Sequence, residues 1–438
     1  MAATVPPVQA PADPTRPRWG YHVSLWQWGR PAFWLYAVIM LVTTLYVLVV
    51  QASLISLSPV GWVMSIFLLL LYAVPVFILV YALDLYEREP MSLVVGALLW
   101  GIIASFGIAL VANGGWLPVV SSIFGEEWTA AIVAPVTEEI AKGAGVILIY
   151  LIAREEFDDI LDGFVYGAMV GLGFTVIEDV LYFIQNFGGT PGGVLQGFFF
   201  RVVAGGLYTH VLYTGLFGMG VAYFVTRRSE ATPGKRLLVA GGLILAAMVA
   251  HFIWNSPLLY FFPDSLSSPA DYIQVIFAMA VKGLPFLAFL ILMISLGRRR
   301  EHRWLRYALQ DEVGLQGLHH DELVTLENPS LRRQARKRMA AQYGPVAGHT
   351  LKRLQKAHID LAMIRTRTDD PNHPDLVRQR QYCEALRNWL VQNTGHRGST
   401  LAWTIPTAGQ EPPGQQPPYG QQPPYGQQPP GGGQPPSA

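Results

Sequence analysis

The amino-acid sequence predicts an all-α, polytopic membrane helix bundle with about eight transmembrane helices, a small cytosolic helical region and a disordered tail. Three observations carry that expectation. The 438 residues are 51% hydrophobic and only 14% charged, a composition that fits solvation by lipid better than solvation by water. Apolar runs recur along the first two thirds of the chain, each long enough to cross roughly 30 Å of hydrocarbon at roughly 1.5 Å per residue. Lys and Arg are absent from every second connection between those runs, as expected when cations are kept on the cytoplasmic side.

Taken in order, residues 1–32 form a cytosolic N-terminal segment. The first apolar run begins near Phe33, after Arg16, Arg18 and Arg30, and continues to about Leu54. It is too long for a signal-peptide core and has no small-residue cleavage site, so it reads as a retained span. Together the runs near 33–55, 61–83, 92–113, 128–153, 160–185, 197–225, 236–257 and 272–297 make a membrane domain over 33–297. With both termini in the cytoplasm of a cell-membrane protein, the inner segments hold Arg88, Arg154, Arg227, Arg228, Lys235, Arg236 and Arg298 to Arg300. The outer connections near 56–60, 114–127, 186–196 and 258–271 hold no Lys or Arg, but do hold Trp116, Glu126, Glu127, Trp128, Asp264 and Asp271; the Trp residues suit an interfacial belt.

Beyond Arg300 the chain becomes charged. Trp304, Tyr307, Leu309, Leu354, Ile359, Met363, Leu386 and Leu390 recur at helical spacing and predict a cytosolic helical region over 298–400. Its basic clusters, Arg332 to Arg338 and Lys352 to Lys356, are either solvated helix faces or contacts for anionic lipid. Residues 401–438 are rich in Pro, Gly and Gln, with PPYGQQ at 417 and again at 423. Such a tail cannot bury a core.

The formal net charge of +1 excludes little and points to no nucleic acid. The single cysteine, Cys383, excludes an intramolecular disulfide and a cysteine zinc site. Any metal must be held by His and carboxylates.

Ionisable side chains inside a span cost about 2.5 to 3.5 kcal/mol each on insertion scales, so each needs a partner, water or a function. The fourth span reads APVTEEIAKG, with Glu138 and Glu139 adjacent and Lys142 one turn on. The lysine can neutralise one carboxylate while the other stays available for proton transfer. Pro135 weakens the helix just before them. The fifth span contains GFTVIEDVLYF, with Phe174, Glu178 and Asp179; either acid is alternatively interfacial. The sixth carries His210 among Gly205, Gly206 and Gly215, and a lone His in a span often does no more than bond a neighbouring helix. The seventh ends AHFIWNSP, so His251 and Asn255 lie one turn apart.

Alternating topology puts Glu138, Glu178, His210 and His251 all between mid-membrane and the outer interface, where they can meet. Two carboxylates and two imidazoles suit zinc or a similar divalent ion with a position left for water. Water in such a site becomes a nucleophile when a further carboxylate takes its proton.

EEIAK at 138–142 matches EExxK, FTVIED at 174–179 matches FxxxED, and HFIWN at 251–255 matches HxxxN. With His210 and the hydropathy profile, these resemble the PrsW family of intramembrane metalloproteases, related to the CAAX prenyl endopeptidases and bacteriocin-immunity membrane proteins. The resemblance covers roughly residues 90 to 257. It implies peptide-bond hydrolysis in or at the edge of the bilayer, on membrane-protein substrates such as an anti-sigma factor. It also implies that Glu138 or Glu139 activates water beside Lys142, that Glu178, His210 and His251 hold the metal or polarise the carbonyl, and that Asn255 stabilises the oxyanion. The prenyl proteases have His where this chain has Glu178, so this site is richer in carboxylates.

Two other readings use the same residues. A proton- or cation-coupled transporter would employ the buried charges and Lys282 as an ion path, although no internal repeat relates two halves of the bundle. A scaffold recruiting partners through its tail would leave the buried charges unexplained.

Overall fold

The computed structural model describes residues 23–83, 89–205, 209–228, 230–258, 268–314, 318, 320–368 and 370–394. Arg16, Arg18, Arg88, Gly206, Asp264 and the tail 401–438 lie outside the described residues. Every named element among the described residues is a helix. In chain order they are α1 (Pro31–Leu57), α2 (Pro59–Tyr81), α3 (Met91–Leu99), α4 (Phe106–Phe124), α5 (Glu126–Ile152), α6 (Ile160–Gln185), α7 (Pro191–Phe198), α8 (Thr209–Thr226), α9 (Pro233–Asn255), α10 (Pro269–Leu309), α11 (His320–Glu327), α12 (Pro329–Tyr343), α13 (Pro345–Arg367) and α14 (Pro374–Thr394). Eight of them open on proline, whose missing N–H costs nothing at a first helical position. A π-helical turn, Trp100–Ser105, joins α3 to α4, and a second, Phe199–Ala204, continues α7.

The chain is a multi-pass membrane protein. Among the described residues six helices are long and apolar enough to cross a membrane, and a seventh crossing arises if Pro191–Ala204 and Thr209–Thr226, bent by 41°, count as one. This differs from the eight runs of the sequence at α5. That helix has the length, 27 residues, but its middle carries Glu138, Glu139 and Lys142, and it is accommodated by burial among other helices. The sixth run is broken, and the third extends to Phe124 through its π-helical turn.

α6 is the central element, packed against α2, α3, α5 and α8. Gly163, Gly167 and Gly171 recur at four-residue spacing along its α8 face, the small-residue seam that lets membrane helices approach closely. A Cβ at Gly167 would lie 2.2 Å from the carbonyl oxygen of Thr214, and one at Gly171 2.1 Å from that of His210. The seam therefore sets the distance from α6 to the turn of α8 that bears His210. α1 and α2 expose Leu41, Val42, Leu45, Phe67 and Leu71, as helices facing lipid do.

α10 is continuous for 41 residues, about 60 Å at 1.5 Å per residue. Its far end joins α11 to α14 around a second core that includes Leu305, Leu309, Leu354, Leu386 and Leu390. Ile359 and Met363 are buried as their spacing predicts, whereas Tyr307 is exposed, because it falls between the turns that present Leu305, Ala308 and Leu309.

Candidate functional site

Four helices bring their buried polar groups to one point. α5 supplies Glu138, Glu139 and Lys142, α6 supplies Glu178 and Asp179, α8 supplies His210, and α9 supplies His251; all are buried. α5 runs unbroken through Pro135, so the adjacent acids splay to two sides of one helical turn.

Lys142 sits in the middle. Its Nζ donates to Glu139 Oε1 at 2.7 Å, to Glu138 Oε2 at 3.3 Å and to His210 Nδ1 at 2.9 Å. The Phe174 ring covers it, with Nζ 4.0 Å from the ring centroid, a cation–π contact in a dry setting. The π-helical turn Trp100–Ser105 closes the other flank, where Trp100 Nε1 and Ser105 Oγ both donate to the carbonyl of Ala141, at 3.0 and 3.3 Å.

The two acids differ in their company. Glu139 accepts from Lys142, from His251 Nδ1 at 3.0 Å and from Thr214 Oγ1 at 3.1 Å. Glu138 has only longer contacts: Lys142 at 3.3 Å, Asn113 Nδ2 at 3.4 Å and His251 Nε2 at 3.8 Å. Asn113 is itself held by Thr137, which donates to its Oδ1 at 2.5 Å. Glu139 thus accepts three close hydrogen bonds, while Glu138 has only two, both longer, and keeps more lone pairs to spare.

Glu178 lies on the far side of His210, accepting from Nε2 at 3.0 Å. Arg201, in the second π-helical turn, donates to Glu178 Oε2 at 2.5 Å and through Nε to Asp179. Asp179 is buried and paired with Arg201. The Glu178 and Arg201 side chains are 11% and 24% exposed against 0% for Lys142 and Glu139. The cluster therefore meets its surroundings on the Arg201 side.

One ligand atom from each of Glu138, His210 and His251 falls in a group whose members lie within 4.8 Å of one another. The donor chemistry fits a divalent ion: a carboxylate oxygen and two imidazole nitrogens. Charge agrees, because among the described residues the carboxyl groups of Glu138, Glu139, Glu178 and Asp179 face two permanent cations, Lys142 and Arg201. Formally, two negative charges are left over.

The structure brings together every acid and histidine that the sequence singles out. It does not bring Asn255 onto them: that side chain closes α9 and donates to the Ala130 carbonyl at 3.5 Å. Lys282, the hinge of the transport reading, donates to the carbonyls of Ser256 at 2.7 Å and Trp254 at 3.3 Å. It caps the C-terminus of α9, a usual place for a cation. Sequence reasoning missed Arg201, Asn113 and Thr214. The signal for Arg201 was present, a lone cation inside an apolar run at the depth of Glu178 and Asp179. Nothing in the sequence distinguishes Asn113 or Thr214 from other small polar residues in spans.

Comparisons with known proteins point the same way. Residues 89–284 match the model of the PrsW family intramembrane metalloprotease. The chain is 36% identical over 111 residues to "Protease PrsW" of Geobacillus kaustophilus (strain HTA426), covering 24% of this chain and 46% of that protein. It is 27% identical over 106 residues to "Protease PrsW" of Bacillus subtilis (strain 168), covering 24% and 47%. The chain thus spans about half the length of the curated relatives it matches. No solved structure matches it.

Proposed function

We propose that this protein is an intramembrane protease, hydrolysing peptide bonds of membrane-associated proteins with water activated at the Glu138, His210, His251 cluster. The observation that carries the reading is the convergence of these three side chains, buried, from three helices that all lie within the matched stretch. The family description and the donor set support a metal, and an N, N, O set suits zinc. Glu138, His210 and His251 would hold it, and it would supply Lewis acidity toward a carbonyl or a water.

The geometry supports a division of labour different from the one the sequence motifs suggest. Glu139 accepts from His251 Nδ1, so it orients that ring and leaves Nε2 facing Glu138. Carboxylates in this relation to a ligating histidine fix its tautomer and raise its basicity. Glu138 is the acid with unspent acceptor capacity, and its two oxygens allow it to serve both as a donor to an ion and as the acceptor of the water's proton. Lys142 offsets one of the pair's two charges and keeps both acids close. Asn255, one turn beyond His251 and bonded to the Ala130 carbonyl, would stabilise a developing oxyanion only by turning its amide toward the cluster.

The reading extends to the cell membrane with both termini in the cytoplasm, to an anti-sigma factor among the substrates, and to anionic lipid beneath Arg332 to Arg338 and Lys352 to Lys356. The loop cation asymmetry supports the first, and the exposure of Arg333, Lys337, Lys352 and Lys356 the last.

The test is comparative proteomics of membrane-protein fragments from cells expressing the wild type or Glu138→Gln. Fragments should appear with the wild type and vanish with Glu138→Gln, a general-base loss of about 10² to 10⁴-fold. Glu139→Gln should reduce them by about 10 to 100-fold, as an orienting partner does. The same fragments from wild type and both variants at equal protein levels would remove the acid pair from the mechanism.

A further inference from the structure

Of the two cations at the site, Lys142 and Arg201, the proposed function gives a role only to Lys142. Arg201 lies in the π-helical turn Phe199–Ala204, a locally widened, under-wound geometry that is frequent at functional sites. Its Nη2 is 2.5 Å from Glu178 Oε2, its Nε bonds Asp179, and its guanidinium carbon stands 3.8 Å from the centroid of the Tyr182 ring. A guanidinium is a planar fork of donors that stays charged, so two carboxylates and an aromatic face leave it a single orientation.

Glu178 Oε2 has a second partner, His210 Nε2, at 3.0 Å. An ionised carboxylate only accepts, so Nε2 carries the proton. Lys142 only donates, so the Nδ1 it touches at 2.9 Å carries the lone pair. Both ring nitrogens are therefore assigned by their neighbours. Without Arg201, Glu178 would be a buried carboxylate with His210 as its one remaining hydrogen-bond donor among the described residues, and its orientation would no longer be fixed by the guanidinium fork.

We propose that Arg201 is the positioning residue of the site: by clamping Glu178 it fixes the tautomer of His210, with Nε2–H toward Glu178 and the Nδ1 lone pair toward Lys142, the cation that also holds the two acids of α5. It follows that Glu178 acts on a divalent ion from outside its ligands, through His210, as Glu139 does through His251. Two histidines are each oriented by a carboxylate of their own, and one of those carboxylates is anchored by an arginine. The inference rests on the metal site of the function proposed above, and it goes beyond that function by assigning Arg201 and reassigning Glu178.

The experiment uses the full chain purified in detergent and titrated with Co²⁺, whose visible bands report the ligands directly. The wild type should bind one Co²⁺ per chain, and His210→Ala and Glu138→Gln should abolish the bands. Glu178→Gln should keep the band positions and the stoichiometry while weakening binding about 10 to 100-fold. Arg201→Gln should do the same, and Arg201→Lys should recover part of the loss. Loss of the bands in Glu178→Gln as complete as in His210→Ala would make Glu178 a direct ligand and overturn the proposal. Wild-type Co²⁺ affinity in Arg201→Gln would reduce Arg201 to a helix fastener and overturn it as well. Should Arg201→Gln fail to accumulate, Glu178→Gln and Arg201→Lys decide by the same criteria. A wild type that binds no Co²⁺ yet sheds fragments overturns this inference and leaves proteolysis standing; the expected Co²⁺ series with no fragments does the reverse.

Discussion

Lys142 and Glu139 meet at 2.7 Å with neither side chain exposed to solvent. Removing one partner of a buried pair strands the other, at a cost of about 3 to 5 kcal/mol. Lys142→Met should therefore lower the thermal unfolding midpoint in detergent and reduce accumulation in the membrane. The double variant Lys142→Met with Glu139→Gln should recover part of the loss, because it removes the stranded charge too. A Lys142→Met protein as stable as the wild type would show that water or another cation already compensates the acids.

Gly171 should tolerate no side chain. A Cβ there would stand 2.1 Å from the carbonyl oxygen of His210, and backbone cannot step aside as a flexible side chain does. Gly171→Ala should destabilise by at least about 1 to 3 kcal/mol, the usual range for overpacking, and should displace His210. Gly114, around which a Cβ meets nothing within 4 Å, is the control: Gly114→Ala should be neutral, or stabilising by about 0.5 to 1 kcal/mol. Equal unfolding midpoints for the two variants would contradict the close approach of α6 and α8.

Lys282 separates a cap from an ion path. Its ammonium satisfies the carbonyls of Trp254 and Ser256, so Lys282→Met should cost about 1 to 3 kcal/mol by leaving buried acceptors without a donor. Proteoliposomes holding the variant should show the same proton flux as those holding the wild type. A changed flux with an unchanged unfolding midpoint would revive transport.

Cys383 reports on the C-terminal helices. It is fully buried in α14, and burial pushes its thiol well above the ordinary range. Since the thiolate is the reactive form, maleimide labelling of the native protein should stay slow as pH is raised from 7 to 9. It should become complete on denaturation. Fast labelling of the native chain at pH 7 would mean that the core of α13 and α14 opens readily.

The membrane class, the meeting of Glu138, Glu178, His210 and His251, and the second helical region were legible because burying a charge in lipid leaves a mark in sequence. Depth along a span can be counted, and the count placed all four residues in one layer. Direction around a helix axis was less legible. Spacing alone could not tell that Glu178 would face Arg201 across one side of His210 while Glu138 faced His251 on the other. Arg201 and Asn113 act through tertiary placement, and the π-helical turns that aim Arg201 and lay Trp100 on Ala141 have no period to read. The span count faltered at α5 for the opposite reason: the charges that identify the site also make its helix the least membrane-like of the set.

That same helix constrains how the protein is made. α5 enters the bilayer with Glu138, Glu139 and Lys142 in its middle, and the groups that complete their hydrogen bonds arrive much later in the chain. His210 is 68 residues beyond Lys142, and Thr214 and His251 are 75 and 112 beyond Glu139. During biogenesis these carboxylates have their own lysine, Asn113 from the preceding helix for Glu138, and whatever the insertion machinery offers. The bundle can close around α5 only once α8 and α9 have been synthesised, so translation arrested before His251 should leave α5 still held at the insertion machinery.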